Sequence, residues 1–138
     1  MGLLRRVCRG EKGQSLVETA LVLPLLLLLL AVAVDCGRAF RAYVIITNAA
    51  REGVRAASRF PDNSDLIEAA VVGEAPDSGV ALDGSNISID GLGGQPGDTI
   101  RVTVTYELAT ILGGILGVPS ITLQSSVAMV VFGMDVAS

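Results

Sequence analysis

Sixteen residues of this chain, Thr19 to Val34, carry no charge, and six consecutive leucines lie among them. With Leu16 and Val17 on the other side of Glu18, the apolar segment is long enough to cross a bilayer core of about 30 Å, which takes roughly 20 helical residues. A stretch like this cannot form the wet surface of a small domain. The 138 residues therefore divide into one span and one modest domain built from the residues C-terminal to it. Two features set the span apart from a plain anchor. Glu18 stands near its start, five residues after Gly13, and Arg5, Arg6, Arg9 and Lys12 crowd in before that glycine.

Three readings of the apolar segment compete. Ala31-Val32-Ala33 fits the small-x-small pattern of a cleaved secretory signal, with Val34 as the new N-terminus. Cys36 could be the lipidated residue of a lipoprotein, although Asp35 stands where a small residue is wanted. The third reading is a retained helix that continues beyond the membrane, and the sequence after Val34 favours it. Asp35–Phe60 contains no proline and keeps helical spacing. Phe40, Tyr43, Thr47, Ala50, Val54 and Ala57 fall three and four apart as a candidate inward stripe. Glu52 and Arg55 are spaced for an i,i+3 ion pair. From Gln14 to Arg59 the helix would run for 46 residues, about 70 Å at 1.5 Å per residue. Pro24 lies inside the span, where it removes the hydrogen bond to the Ala20 carbonyl and is expected to kink the helix.

Phe60-Pro61-Asp62-Asn63 stops this helix. Ser64 or Asp62 can cap a second, short helix over Asp65–Glu74, with Leu66, Ala69, Ala70 and Val72 expected inward. A loop covers Ala75–Gly84. The period then changes to two. Asn86–Asp90 points Ile87 and Ile89 to one side. Thr99–Leu108 sets Ile100, Val102, Val104, Tyr106 and Leu108 against Arg101, Thr103, Thr105 and Glu107. Ser120–Phe132 gives a last strand with Ile121, Leu123, Ser125, Val127, Met129 and Val131 in register. Three antiparallel strands with one apolar face need a helix to cover it, and the outer half of the long helix is the available cover. The fold class is α+β: a long N-terminal transmembrane helix continuing into a small domain with a short helix and about three antiparallel strands. The divisions are a basic leader over 1–13, a membrane half of the helix over 14–34, an outer half over 35–60, and the α+β domain over 61–138.

Chemistry is constrained mainly by what is missing. The chain has no His, which removes the commonest general base and metal ligand, and with it any Ser/His/Asp or Cys/His arrangement. No catalytic residues, cofactor or metal are expected, and the protein is read as a non-enzyme. Gly91–Gly97 lacks the spacing of a phosphate-binding loop and reads as a hairpin turn. Asp77, Asp83, Asp90 and Asp98 are scattered loop carboxylates without calcium-loop spacing. Cys8 and Cys36 flank the span and cannot pair across it. The apolar connection Thr110–Val118 is expected to pack under the sheet, with an exposed patch for partner or membrane contact as its alternative. After Gly13 six basic residues face thirteen acidic ones, which argues against nucleic acid as a partner. The basic flank before the span predicts a cytoplasmic N-terminus and a translocated C-terminal part, in a single-pass protein of the cell (inner) membrane.

Glu18 is the residue most in need of an explanation. An unpaired carboxylate costs about 3 kcal/mol or more near the bilayer centre, and such residues usually have a partner. If the chain were cut after Gly13, Glu18 would be the fifth residue of the mature protein. The new α-amino group of an adjacent subunit would then be a natural partner. A carboxylate resting among lipid head groups, or on the positive end of the helix dipole, is the alternative.

The run KGQSLVETALVLPLLLLLLAVAVDCGRAF, followed by ITNAAREGVRAASR, resembles the TadE-like family of pilin-like proteins from tight-adherence (Tad/Flp) pilus loci. The matching parts are Gly13 with Glu18 and Thr19, the Leu-Pro-Leu span, Asp35 with Gly37 and Arg38, and Ala49-Ala50-Arg51-Glu52-Gly53. The resemblance implies a leader ending at Gly13, removed by a prepilin peptidase, with Gln14 as mature N-terminus and Glu18 as the fifth-position glutamate. It implies a minor pilin or pseudopilin. Its partners would be the major Flp pilin, other Tad pilins and pseudopilins, and the Tad secretion platform and ATPase. The major pilins are much shorter and carry Tyr after their Glu, where Thr19 stands here. A signal-anchored surface module that never polymerises is the alternative.

Overall fold

The computed structural model describes residues 10–75 and 78–132. Cys8, Arg5, Arg6, Arg9, Pro76 and Asp77 lie outside the described residues, and so does most of the leader.

One helix, α1 (Gly10–Arg59), dominates the molecule. Its 50 residues correspond to about 75 Å of rise. Helical structure continues without a break through Pro24 and through Ala31-Val32-Ala33, from the apolar half into the polar half. Across the apolar half, 13–34, nearly every residue is exposed. From Asp35 onward α1 becomes the cover of a sheet.

That sheet has three antiparallel strands in the order β1 (Ile87–Asp90), β2 (Thr99–Ala109), β3 (Ser120–Val130). The β2–β3 ladder is long and regular, from Thr99 opposite Val130 to Ala109 opposite Ser120. Strand β1 is short, pairing Ile87 with Val104 and Asp90 with Arg101. Ile100, Val102, Val104 and Leu108 are buried under the helix, while Arg101 and Glu107 are exposed on the opposite face. Residues 91–98 form the hairpin turn between β1 and β2.

The inward face of α1 differs from the stripe expected from sequence. Ala50, Val54 and Ala57 are buried as expected, but Phe40 is 72% exposed and Tyr43 47%. Ala42, Ile46 and Ala49 take the inward positions in the first half of the stripe. The reason is steric. The helix lies close on the sheet through alanines and Gly53, and bulky aromatic rings would hold it away. Gly53 sits at the junction of helix, helix and strand. A Cβ there would fall inside contact distance of Val71 Cγ2 and 3.1 Å from Val102 Cγ1.

Helix α2 (Ser64–Gly73) begins at Asn63, whose Oδ1 accepts a 3.0 Å hydrogen bond from the Leu66 amide. Asn63 is thus the cap, in place of Ser64 or Asp62. The buried residues of α2 are Ile67 and Val71. Leu66, Ala69 and Val72 are exposed and Ala70 is half-buried, so the inward face is turned away from the sequence expectation. Packing Val71 against Gly53 fixes that rotation. A single core results, with Ile46, Val54, Ile67, Val71, Ile100, Val102 and Val104 at its centre.

Candidate functional site

Gly13, Gln14, Glu18 and Pro24 all belong to the exposed half of α1. No second element approaches them among the described residues. A Cβ at Gly13 would meet nothing within 4 Å. Glu18 makes no salt bridge among the described residues and is exposed beside Ser15, Thr19 and Val22. Thr19 folds its hydroxyl back onto the Ser15 carbonyl at 2.9 Å, satisfying itself within the helix. An 18-residue window of this half has a mean hydropathy of 2.6, and none of it is buried. This single N-terminal apolar helix has the length and composition of a single-pass membrane anchor.

The first residue beyond the apolar half makes the most connected polar site among the described residues. Asp35 accepts hydrogen bonds from the Ile111 amide at 2.9 Å to each carboxylate oxygen. The Leu112 amide adds a third at 3.1 Å. Arg38, one helical turn on, donates through Nη1 at 3.2 Å. The Ile111 amide above all holds the Asp35 carboxyl below its ordinary range; burial opposes this, and the Leu112 amide and Arg38 reinforce it.

These amides belong to the connection between β2 and β3. A short helical turn, Gly113–Leu116, forms there and ends at Gly117, whose φ of 74° is a left-handed conformation suited to glycine. Thr110 closes the loop, its hydroxyl donating to the Val118 carbonyl at 2.7 Å and its amide to the Pro119 carbonyl at 3.1 Å. The expected core packing of this loop is met only in part. Leu112 is buried, whereas Ile111 and Val118 are each 52% exposed.

Loop carboxylates serve the backbone. Asp83 accepts from the Ser85 amide at 2.8 Å at the start of a 3₁₀ turn, Gly84–Asn86. The Ser85 hydroxyl and amide hold its carboxyl low. Asp98 accepts from the Gln95 amide at 2.8 Å in the hairpin turn. Among the described residues no three Cys, Asp or Glu side chains converge as a metal site would require. Cys36 is a free, exposed thiol.

Residues 13–55 match the family described as TadE-like protein. Over this stretch the chain is similar to TadE-like proteins. The match spans the apolar half of α1 and most of its outer half, and it ends before the sheet. It includes Gly13, Gln14, Glu18, Pro24, Asp35 and Gly53. The family is one of pilin-like proteins associated with Tad pili. Neither a curated protein nor a solved structure matches the chain. The Asp35 contact is not foreseen by the sequence reading. Its one signal is a carboxylate placed directly after an apolar span, where a partner is expected.

Proposed function

We propose that this TadE-like protein is a membrane-inserted minor pilin or pseudopilin that helps assemble a Tad-type adhesive pilus. Its role in this reading is structural, and it performs no catalysis. One observation carries the proposal: Glu18 lies five residues after Gly13 on an apolar helix that is exposed among the described residues, inside the TadE-like match. In this reading a prepilin peptidase cuts between Gly13 and Gln14. The freed α-amino group of one subunit then meets the Glu18 carboxylate of a neighbour. Each charge is unfavourable alone in lipid, and pairing them favours side-by-side helices. Other Tad pilins and pseudopilins supply those neighbours, and the Tad platform draws them from the membrane. The N-terminus is cytoplasmic and the sheet lies outside.

Mass spectrometry of the membrane-extracted protein tests this. A mature chain beginning at Gln14 is expected. Retention of Met1 would leave a tethered surface module instead, and a start at Val34 would mean an ordinary secreted domain.

A further inference from the structure

The loop Thr110–Val118 contains no charged residue. The Asp35 clamp ties it to the first residue after the uncharged span, with its hydrogen bonds no longer than 3.1 Å. Its height along α1 is thereby set: it stands where the helix leaves the apolar segment. Leu112 is buried, while Ile111 and Val118 are half exposed, and the last residues of the span, Val32 and Val34, are exposed as well. The apolar surface of the span therefore widens sideways at this level. Cationic groups stand at the same end. Arg38 leans toward Asp35 with 43% of its side chain exposed, and Arg41 is exposed one turn further on. An uncharged, apolar projection beside two arginines matches a bilayer surface, with acyl chains below and phosphates above. The carboxylate that would be costly at this boundary is already satisfied by three backbone hydrogen bonds and a guanidinium.

We propose that Thr110–Val118 is a membrane-seating loop. It rests on the outer lipid surface with Ile111 and Val118 at the acyl–headgroup boundary, and Asp35 holds it at that height. The proposal rests on the reading of α1 as a membrane anchor. Two attachments then fix the outer domain to the bilayer, the helix and this loop. The sheet would be held at a defined tilt until the subunit is withdrawn from lipid.

The test places nitroxide labels on the full-length chain with Cys8→Ser and Cys36→Ser, reconstituted in phosphatidylcholine vesicles with and without phosphatidylglycerol. Single labels are introduced at Ile111→Cys, at Leu26→Cys within the span, and at Leu92→Cys in the far hairpin turn. The Leu92 position neighbours Gly93, whose amide bonds the Pro61 carbonyl at the distant end of α1. Collisions with oxygen and with a water-soluble nickel chelate report depth. The label at 111 is expected to be several-fold less accessible to nickel than that at 92, and several-fold more accessible to oxygen. Adding Asp35→Ala is expected to bring its nickel accessibility up to that of position 92, while the label at 92 keeps its folded-state line shape. Equal nickel accessibility at 111 and 92 in the parent chain would overturn the proposal while leaving the anchor intact. Shielding from both reagents would place a second copy over the loop and also overturn it. Nickel access at 26 would remove the anchor itself, and the seating loop with it. An unchanged depth after Asp35→Ala would overturn the clamp.

Discussion

The Asp35 carboxylate and the Ile111 amide are separated by 76 residues in the chain and joined at 2.9 Å by both oxygens. This contact binds the β2–β3 connection to the point where α1 passes from its apolar half to its sheet-covering half. Asp35→Ala removes the acceptor and leaves the Ile111 and Leu112 amides without a partner. Faster hydrogen exchange at those two amides is the expected outcome, with the β2–β3 ladder still protected. Asp35→Asn keeps one oxygen and should give a smaller loss. Exchange followed by mass spectrometry on peptides covering the loop distinguishes the two.

The same carboxylate predicts a pH dependence. Its folded pKa is lowered, chiefly by the Ile111 amide and also by Leu112 and Arg38. The stabilisation is then complete above the ordinary value of 3.8 and is lost as pH falls through the lower folded value. Asp83 behaves in the same direction, through Ser85. Denaturant midpoints of the protein in detergent should hold constant from about pH 7 to pH 5 as far as these groups are concerned, and fall below about pH 4. Asp35→Asn should flatten part of that fall, leaving the Asp83 share.

Gly53 looks from sequence like a weak point in a helix, since Ala is better there by up to about 1 kcal/mol. The packing reverses that expectation. A methyl at Gly53 would collide with Val71 Cγ2 and press on Val102. Gly53→Ala should therefore destabilise the outer domain by about 1–3 kcal/mol, the range for overpacking a tight core. Val71→Ala alone should also destabilise, by leaving a cavity. The double variant should lose less than the sum of the two, because each change makes room for the other. Urea unfolding of the four proteins closes the cycle.

What the sequence discloses and what it hides divide along physical lines. Strand alternation has a period of two with no ambiguity, so Ile100, Val102, Val104 and Leu108 are readable as the buried side of β2. The long helix is legible in the absence of proline after Val34, and the Glu52–Arg55 pair in its spacing, which closes at 3.0 Å. Helix rotation is harder. Phe40 and Tyr43 attract attention because they are large, yet the face that meets the sheet is made of Ala42, Ile46, Ala49, Gly53 and Val54, aliphatic or smaller side chains with no aromatic ring among them. The same error recurs at Leu66 and Val72 against Ile67 and Val71. The tie between Asp35 and the loop is not legible because the loop's donors are the Ile111 and Leu112 backbone amides, which have no signature in the residue alphabet. Glu18 is the converse: its place in the sequence, five residues after Gly13 at the edge of an apolar span, marks it, but it makes no salt bridge among the described residues.

That isolation of Glu18 yields the last prediction, in which processing and assembly separate. Gly13 adjoins the proposed scissile bond, so Gly13→Ala should leave the leader attached and the precursor accumulating in the membrane. Glu18→Ala leaves that bond untouched, and its mature form should appear at the normal mass. It also removes a carboxylate whose presence in lipid costs about 3 kcal/mol or more near the bilayer centre, so the variant should remain in the membrane at least as stably as the parent. The loss should appear one step later. Without the acceptor for a neighbour's α-amino group, incorporation into the pilus or its base should fall sharply. Immunoblots of membrane and sheared-surface fractions from cells carrying each variant separate the steps. A Glu18→Ala strain with normal surface pili would show that subunits associate without this charge pair. Helix packing through the rest of the exposed apolar half would then have to drive assembly.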